Sequence, residues 1–222
     1  WPDARVIAVD FAPAMLCELA RRDTASRCEH LCADALSLPL ADASVDLAFS
    51  NLMLPWCDDP DTVFAGIARV LRPRGLFCFS TLGPDTLVEL RASWHAVDSH
   101  EHVIPFTDMH DIGDGLVRAG LAEPVLDVSR YTLTYPDLRS LMHDLNATGA
   151  RNAASGRPRG LTTPARLAAV ASAYERFRRD GVLPASCEVV FGHAWGAIER
   201  DEAAPGEVVV PVTAIRRRVT PG

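Results

Sequence analysis

The sequence predicts an α/β fold in which a largely parallel sheet is covered by helices. Short apolar runs alternate with amphipathic helical segments through the first 120 residues. Strands that alternate with helices are joined by crossover connections, which place parallel strands against a layer of helices. No internal repeat or low-complexity linker interrupts the 222 residues, so we expect a single domain over residues 1–222.

Six segments have the composition of strands. Four short apolar runs come first, and two longer segments with alternating apolar and polar residues follow them. The predicted strands are residues 6–9, 30–33, 45–52, 76–82, 123–135 and 186–198. The tail at 206–218 is either an edge strand or a loose arm.

Helical periodicity occupies the segments between these strands. The predicted helices are residues 12–20, 59–71, 84–97, 107–119, 136–147 and 163–179. The sequence Arg-Pro-Arg-Gly at 72–75 is expected to end the second helix before the strand at 76–82 begins.

Carboxylates follow the first two predicted strands at the point where each strand ends. Asp10 closes the run RVIAVD, and Asp34 follows the strand at 30–33. Ligands of open α/β sheets bind beyond the carboxyl ends of the strands, and a carboxylate accepts the two hydroxyl donors of a ribose. A helix-capping role suits Asp10 equally well, so its pattern leaves both roles open.

The succession LCADALSLPLADASVDLAFSNL, residues 31–52, resembles the class I S-adenosylmethionine-dependent methyltransferases, and LRPRGLFCFST at 71–81 resembles their turn into the fifth strand. The resemblance implies a Rossmann-like sheet, mostly parallel with antiparallel C-terminal strands, helices on both faces, and S-adenosylmethionine as cofactor. It also implies cofactor contacts at three strand ends. Asp10 and Phe11 would hold the ribose, Asp34 and Ala35 the adenine, and Ser50, Asn51 and Leu52 the methionine end.

One motif of those methyltransferases is not in the chain. Their glycine-rich loop follows the first strand and precedes the ribose-binding acid by roughly 20 residues. Only nine residues precede Asp10, and the first of them is Trp1 rather than a methionine. We therefore expect the chain to be incomplete at its N-terminus and the sheet to lack its first strand, with a gap in its middle.

Three further stretches, residues 50–98, 102–121 and 135–161, resemble the malonyl-acyl carrier protein O-methyltransferases of biotin synthesis, the BioC family. The resemblance implies methyl transfer to the free carboxylate of malonyl-acyl carrier protein, with a helical substrate lid around 136–180. The same stretches also resemble a mitochondrial complex I assembly factor associated with arginine hydroxylation. Another methyl acceptor, arginine hydroxylation and a non-catalytic scaffold therefore stay open as alternatives.

The implied reaction needs no general base. A malonyl carboxylate has a pKa of about 4, so it is ionised at neutral pH. The protein has to align it with the methyl group and exclude water. An arginine suits the carboxylate, because its planar guanidinium grips an acid. The candidates are Arg151, Arg157 and Arg159. The alternative is that they belong to a solvated loop and do not bind the substrate.

Charge is distributed unevenly along the chain. The net charge is −7 and every basic residue other than histidine is an arginine, yet residues 139–179 carry eight arginines against Asp144 and Glu175. This net charge of +6 suits docking of an acidic carrier protein, although a solvated helical face explains it equally well. We expect no nucleic-acid partner.

The remaining candidates are aromatic, histidine and cysteine residues. Trp56 and Phe106 have two possible roles. They line the acyl or cofactor pocket, or they are ordinary core residues. His95, His100 and His102 match no metal-ligand spacing, so we expect no metal site. The six cysteines are spread through apolar stretches, which indicates reduced thiols and a cytoplasmic protein. No apolar run approaches the roughly 18 residues of a membrane span.

Overall fold

The computed structural model describes residues 4–23, 27–149 and 162–197. The strands in these ranges are β1 (Val6–Asp10), β2 (Cys28–Cys32), β3 (Val45–Asn51), β4 (Leu71–Leu82), β5 (Ala122–Tyr135) and β6 (Leu183–Trp195). The helices are α1 (Pro13–Arg22), α2 (Pro60–Val70), α3 (Val88–His95), α4 (Met109–Arg118), α5 (Leu138–Ala147) and α6 (Pro164–Tyr174). Short 3₁₀ helices lie at Ala35–Ser37, Leu54–Trp56 and Glu175–Phe177.

The described strands form two sheets. β1 and β2 pair in parallel, and the second sheet has the order β3-β4-β6-β5. β3 and β4 are parallel, whereas β6 runs antiparallel to both β4 and β5. This confirms the α/β prediction with antiparallel C-terminal strands. Within the described ranges no ladder joins β1 to β3.

The β1–β2 sheet is held to the larger one through the segment that follows β2. The guanidinium of Arg69, in α2, donates to the carbonyl oxygens of Leu38 and Leu40 at 2.7 Å each. It also pairs with Asp42 at 2.7 Å. These contacts fix the position of the 3₁₀ helix at Ala35–Ser37, and therefore of the end of β2, relative to α2.

A first core lies between the larger sheet and helices α2 and α4. Phe64 of α2 packs on Phe77 and Phe79 of β4, with ring centroids 6.4 and 6.2 Å away. The two β4 rings stack at 4.9 Å. Gly192 of β6 leaves the room that Phe79 fills, because a Cβ there would lie 2.3 Å from its Cζ.

A second core lies on the opposite face, where β5 and β6 extend beyond the end of β4. Leu183 and Ala185 of β6 belong to it, whereas Val190 and Ala194 of the same strand belong to the first core. Odd and even positions of a strand point to opposite faces. Helices α3, α5 and α6 cover this second core, so both faces of the larger sheet carry helices, as predicted.

Strand β4 begins earlier than the sequence predicts. It includes residues 72–75, which were expected to separate the helix from the strand. Leu71 already pairs with Val45, and the register then shifts before Leu76 pairs with Leu47. Such a bulge tolerates the proline and a left-handed residue, and Arg74 has φ 60°.

Other boundaries differ for local reasons. The helix expected over 84–97 starts only at Val88, since Leu87 before it has the left-handed φ of 54°. The helix expected over 163–179 ends at Tyr174 and continues as a 3₁₀ turn. Among the described residues, no helix combines the length and apolar character needed to cross a membrane.

Candidate active site

The ends of β1 and β2 lie side by side. Asp10 pairs with Cys32 in the parallel ladder, and the backbone N–H of Ala33 donates to the carbonyl oxygen of Asp10 at 3.2 Å. Asp34 follows immediately. The two carboxylates that the sequence singled out therefore leave neighbouring strands at the same edge of the sheet.

Asp10 forms the turn into α1. Its Oδ1 accepts a hydrogen bond of 2.8 Å from the backbone N–H of Ala12, the residue before the helix. No described residue donates to its Oδ2. This bond closes the turn before α1 and is not a helix cap, since the N-cap residue Ala12 has no side-chain cap, while the second oxygen remains able to accept from a ligand. Phe11 beside it is 73% exposed.

Asp34 caps the 3₁₀ helix at Ala35–Ser37. Its Oδ1 accepts a 2.9 Å hydrogen bond from the N–H of Leu36. Ala35 and Leu36 pack against the first core. The side chain of Asp34 is exposed, so its carboxylate can contact a ligand without further rearrangement.

Asn51 ends β3 beside Ser80 of β4. The Ser80 hydroxyl donates to Asn51 Oδ1 at 2.5 Å, and the N–H of Leu52 donates to the Ser80 carbonyl at 2.9 Å. Leu52 has φ 54°, a left-handed conformation that is uncommon outside glycine and concentrates at functional sites. The hydroxyl of Ser50 is buried without a hydrogen-bond partner in the described ranges.

Ser80 was missed by the sequence reasoning. The available signal was a hydroxyl directly after the apolar run Leu-Phe-Cys-Phe in the predicted strand at 76–82. Only the register of the β3–β4 pair, which sets Asn51 opposite Ser80, brings the two side chains together.

A cavity of about 250 Å³ opens beyond the ends of β3 and β4. Trp56 and Phe106 both line it, and neither belongs to the two core clusters. Trp56 is 48% exposed. The rest of the wall comes from the turn after β3, helix α2, the end of β4, the loop before α4 and α4 itself. These residues are Leu54, Pro55, Cys57, Asp58, Pro60, Phe64, Thr81, Leu82, Glu101, Ile104, Pro105, Thr107 and Ile112.

The thiol of Cys57 reports on the electrostatics of this wall. Partial burial raises the pKa of Cys57, and the negative charges of Asp34 and Asp58 raise it further. Cys57 is therefore a neutral thiol at neutral pH. The charge of Asp34, which follows β2, therefore contributes to the electrostatics of the cavity wall.

The three arginines proposed for the substrate carboxylate, Arg151, Arg157 and Arg159, lie outside the described residues. Among the described arginines of 139–179, Arg178 is engaged with Glu175 and with the Pro136 and Gly181 carbonyl oxygens. Arg139, Arg176 and Arg179 are exposed.

The histidine-rich segment holds no metal-type cluster. In the described ranges no three His, Cys, Asp or Glu side chains are placed to hold an ion. His102 instead lies 2.9 Å from Asp98 through its Nε2 and stacks on Trp94.

The model of the family described as "Methyltransferase domain" matches residues 2–79. The malonyl-[acyl-carrier protein] O-methyltransferase of Methylovorus sp. (strain MP688) is 52% identical over 202 residues, which cover 88% of this chain and 68% of that protein. The biotin biosynthesis bifunctional protein BioHC of Cellvibrio japonicus is 41% identical over 188 residues, covering 85% of this chain and 37% of that protein.

Solved structures share the fold. A putative methyltransferase from Bacillus halodurans C-125 superposes with a TM-score of 0.63 at 16% identity, over 87% of this chain and 84% of that one. Identity this low shows only the architecture, whereas half of the residues are shared with the relative from Methylovorus. The chain therefore belongs to the malonyl-[acyl-carrier protein] O-methyltransferase family.

Proposed function

We propose that this chain transfers a methyl group from S-adenosylmethionine to the free carboxylate of malonyl-acyl carrier protein, a step of biotin biosynthesis. The observation that carries the proposal is the 52% identity, over 88% of the chain, with a protein named for that reaction. In this proposal the acceptor occupies the cavity beyond the ends of β3 and β4.

The residues at the strand ends fit an adenosyl cofactor. Asp10 Oδ2 has no donor among the described residues, the Asp34 carboxylate is exposed, and the buried Ser50 hydroxyl is unpaired there. We assign the ribose to Asp10 and Phe11, the adenine to Asp34 and Ala35, and the methionine end to Asn51 and Leu52. When bound, the cofactor would supply a methyl group activated by its sulfonium charge.

The cavity would hold the malonyl group. Apolar side chains such as Leu54, Trp56 and Phe106 form part of its wall, and Asp58, Thr81, Glu101 and Thr107 contribute polar groups. The apolar part of the wall would remove water from a carboxylate that is already ionised, and this makes its oxygen a better nucleophile. No side chain has to take a proton. Arg151, Arg157 and Arg159 remain the candidates to hold the carboxylate in place.

The arginine-rich part of the chain would receive the carrier protein. Arg139 at the start of α5, together with Arg176 and Arg179 after α6, presents guanidinium groups to solvent. An acidic carrier is attracted to such a surface even though the chain as a whole is negative. In this proposal α5 and α6 belong to the lid over the substrate.

The test is a methyl-transfer assay on the full-length protein. Malonyl-acyl carrier protein and methyl-labelled S-adenosylmethionine should yield a labelled, base-labile methyl ester. Acetyl-acyl carrier protein, which has no free carboxylate, should stay unlabelled. Binding of the cofactor without ester formation would exclude this acceptor and favour another one. Absence of cofactor binding would favour a scaffold.

A further inference from the structure

The segment that joins α3 to α4 forms one wall of the cavity. Glu101 and the run 104–107 line the cavity, and Asp108 then caps α4. The segment has no strand or helix of its own between residues 99 and 107. The position of this wall therefore depends on the contacts that its side chains make.

His102 is a polar side chain of this segment that packs into the protein. Its ring lies 3.6 Å from the Trp94 ring, centroid to centroid, with 9° between the planes. Its Nε2 is 2.9 Å from Asp98 Oδ1. The His102 and Asp98 side chains are only 9% and 10% exposed. Val103, the next residue, packs against the second core.

Asp98 joins three parts of the chain. It follows α3, its Oδ1 also accepts a hydrogen bond from the backbone N–H of His100 at 2.9 Å, and its Oδ2 lies 3.3 Å from Nε of Arg166 in α6. Burial raises the pKa of Asp98, but the hydrogen bonds from His100 and His102 and the charge of Arg166 outweigh it, so the pKa lies below the ordinary value.

A second histidine–aspartate pair lies at the other end of the segment and offers a comparison. His110 Nδ1 is 2.7 Å from Asp108 Oδ1, but these side chains are 80% and 48% exposed. Exposed pairs contribute little, whereas breaking a buried pair leaves an uncompensated polar group. The buried Asp98–His102 pair, together with the packing of Val103 on the second core, therefore holds the segment against the core.

We propose that His102 and Asp98 are positioning residues for the acceptor pocket. Their pair fixes the wall at 104–107, and with it the place of the malonyl thioester relative to the methyl donor. The inference rests on the proposed function, because it takes the cavity as the acceptor site. Small displacements of a bound reactant cost large factors in rate, so a wall that is not anchored should impair use of the acceptor.

The test compares variants of the full-length protein. His102→Phe keeps a ring against Trp94 but removes the hydrogen bond to Asp98, and Asp98→Asn keeps the shape and an acceptor oxygen but removes the charge. His110→Phe is the matched control at the exposed pair. Two quantities are measured for each: hydrogen–deuterium exchange of peptides spanning 99–107, without ligands, and the KM for malonyl-acyl carrier protein beside the Kd of S-adenosylmethionine.

For His102→Phe we expect faster exchange across 99–107 and a KM for malonyl-acyl carrier protein raised about tenfold, the size expected for one charge-assisted hydrogen bond. The Kd of the cofactor should stay unchanged. His102→Gln, which can still donate to Asp98, should recover part of the KM, and Asp98→Asn should give a smaller rise. The control should match wild type in both measurements.

Unchanged exchange in His102→Phe, or faster exchange with an unchanged KM, would overturn the inference. Equal losses in KM and cofactor affinity would also overturn it, because they would indicate general loosening of the fold. If the wild-type protein forms no methyl ester, the proposed function has failed, and the exchange measurement still decides whether the pair anchors the segment.

Discussion

The hydroxyl of Ser80 donates to Oδ1 of Asn51 at 2.5 Å, where β3 ends beside its parallel neighbour β4, which continues to Leu82. With the amide oxygen engaged in this way, the orientation of the Asn51 side chain is fixed and its NH₂ group is free to donate elsewhere. Ser80 is 5% exposed, so it acts through Asn51 rather than on a ligand directly.

Ser80→Ala should therefore weaken cofactor binding. Loss of one neutral hydrogen bond corresponds to about 1 kcal/mol, or roughly fivefold in Kd. Titration calorimetry with S-adenosylmethionine measures the change. Ser44→Ala, at an exposed hydroxyl bonded to the Ala41 carbonyl, is the control. The double variant Ser80→Ala/Asn51→Ala should bind no worse than Asn51→Ala alone. Additive losses would show that Ser80 acts independently of Asn51.

The two roles of Asp10 can be separated by two substitutions. Asp10→Asn keeps the Oδ1 that accepts from Ala12 but loses the charge, whereas Asp10→Ala loses both. We expect both to weaken S-adenosylmethionine binding, by about 1.5 to 3 kcal/mol for the alanine, the range for hydrogen bonds to a charged group. Only Asp10→Ala should also lower the melting temperature. An asparagine variant with wild-type affinity would reduce Asp10 to a turn residue.

The positions of the polar residues at the strand ends can be predicted from the sequence, since a strand and the residue that ends it are neighbours in the chain. Asp10, Asp34 and Asn51 are visible in this way. Their roles as ligands of a cofactor stay predictions. The α/β order is equally local, because it follows from the succession of strand and helix periods.

Features that depend on register were not predicted. The Asn51–Ser80 contact joins residues 29 positions apart, and the bulge in β4 arises from its pairing with β3. From the sequence, His102 is a candidate only for a metal ligand, and no matching spacing supports that role. The burial of His102 and Asp98 depends on the second core, which brings Arg166 of α6 to the end of α3. Such contacts depend on tertiary packing, which cannot be predicted from local propensity and periodicity.

The reactivity of Cys57 should depend on Asp34. Thiolate is the reactive form, and the raised pKa of Cys57 lowers its thiolate fraction at pH 8, so alkylation should be slow and accelerate as the pH rises. Asp34→Asn removes one of the charges that raise this pKa and should speed alkylation at pH 8. Asp42→Asn, in the exposed pair with Arg69, is the control.

Iodoacetamide labelling followed by mass spectrometry of the Cys57 peptide gives the rates. Malonyl-acyl carrier protein should protect Cys57, because this thiol lines the cavity. Equal rates in wild type and Asp34→Asn would show that the acid and the cavity wall are not electrostatically coupled.

Gly192 should tolerate no side chain. A Cβ at this position would lie 2.3 Å from Phe79 Cζ and 2.7 Å from Leu126 Cδ2, so Gly192→Ala has to displace the first core. Overpacking of this kind costs about 1 to 3 kcal/mol of the free energy of unfolding. Chemical denaturation measures it, and Gly120→Ala, where a Cβ meets nothing within 4 Å but φ is +84°, separates steric overlap from backbone strain. In Gly192→Ala/Phe79→Leu the smaller side chain should recover part of the lost free energy of unfolding. No recovery would show that overlap with Phe79 does not cause the loss.

Arg157→Ala tests the proposed grip on the malonyl carboxylate. A guanidinium that holds the acceptor acts on its binding and leaves the adenosyl site untouched, so the KM for malonyl-acyl carrier protein should rise while the Kd of S-adenosylmethionine stays constant. Arg176→Ala, at an exposed guanidinium 4.6 Å from the Phe177 ring centroid, removes the same charge from the arginine-rich part of the chain. Docking by charge alone predicts equal and strongly salt-dependent losses in both variants. A carboxylate grip predicts a larger loss for Arg157→Ala that persists at high salt and also appears with a small malonyl thioester lacking the carrier. An unchanged KM with both acceptors would leave Arg157 as a surface residue.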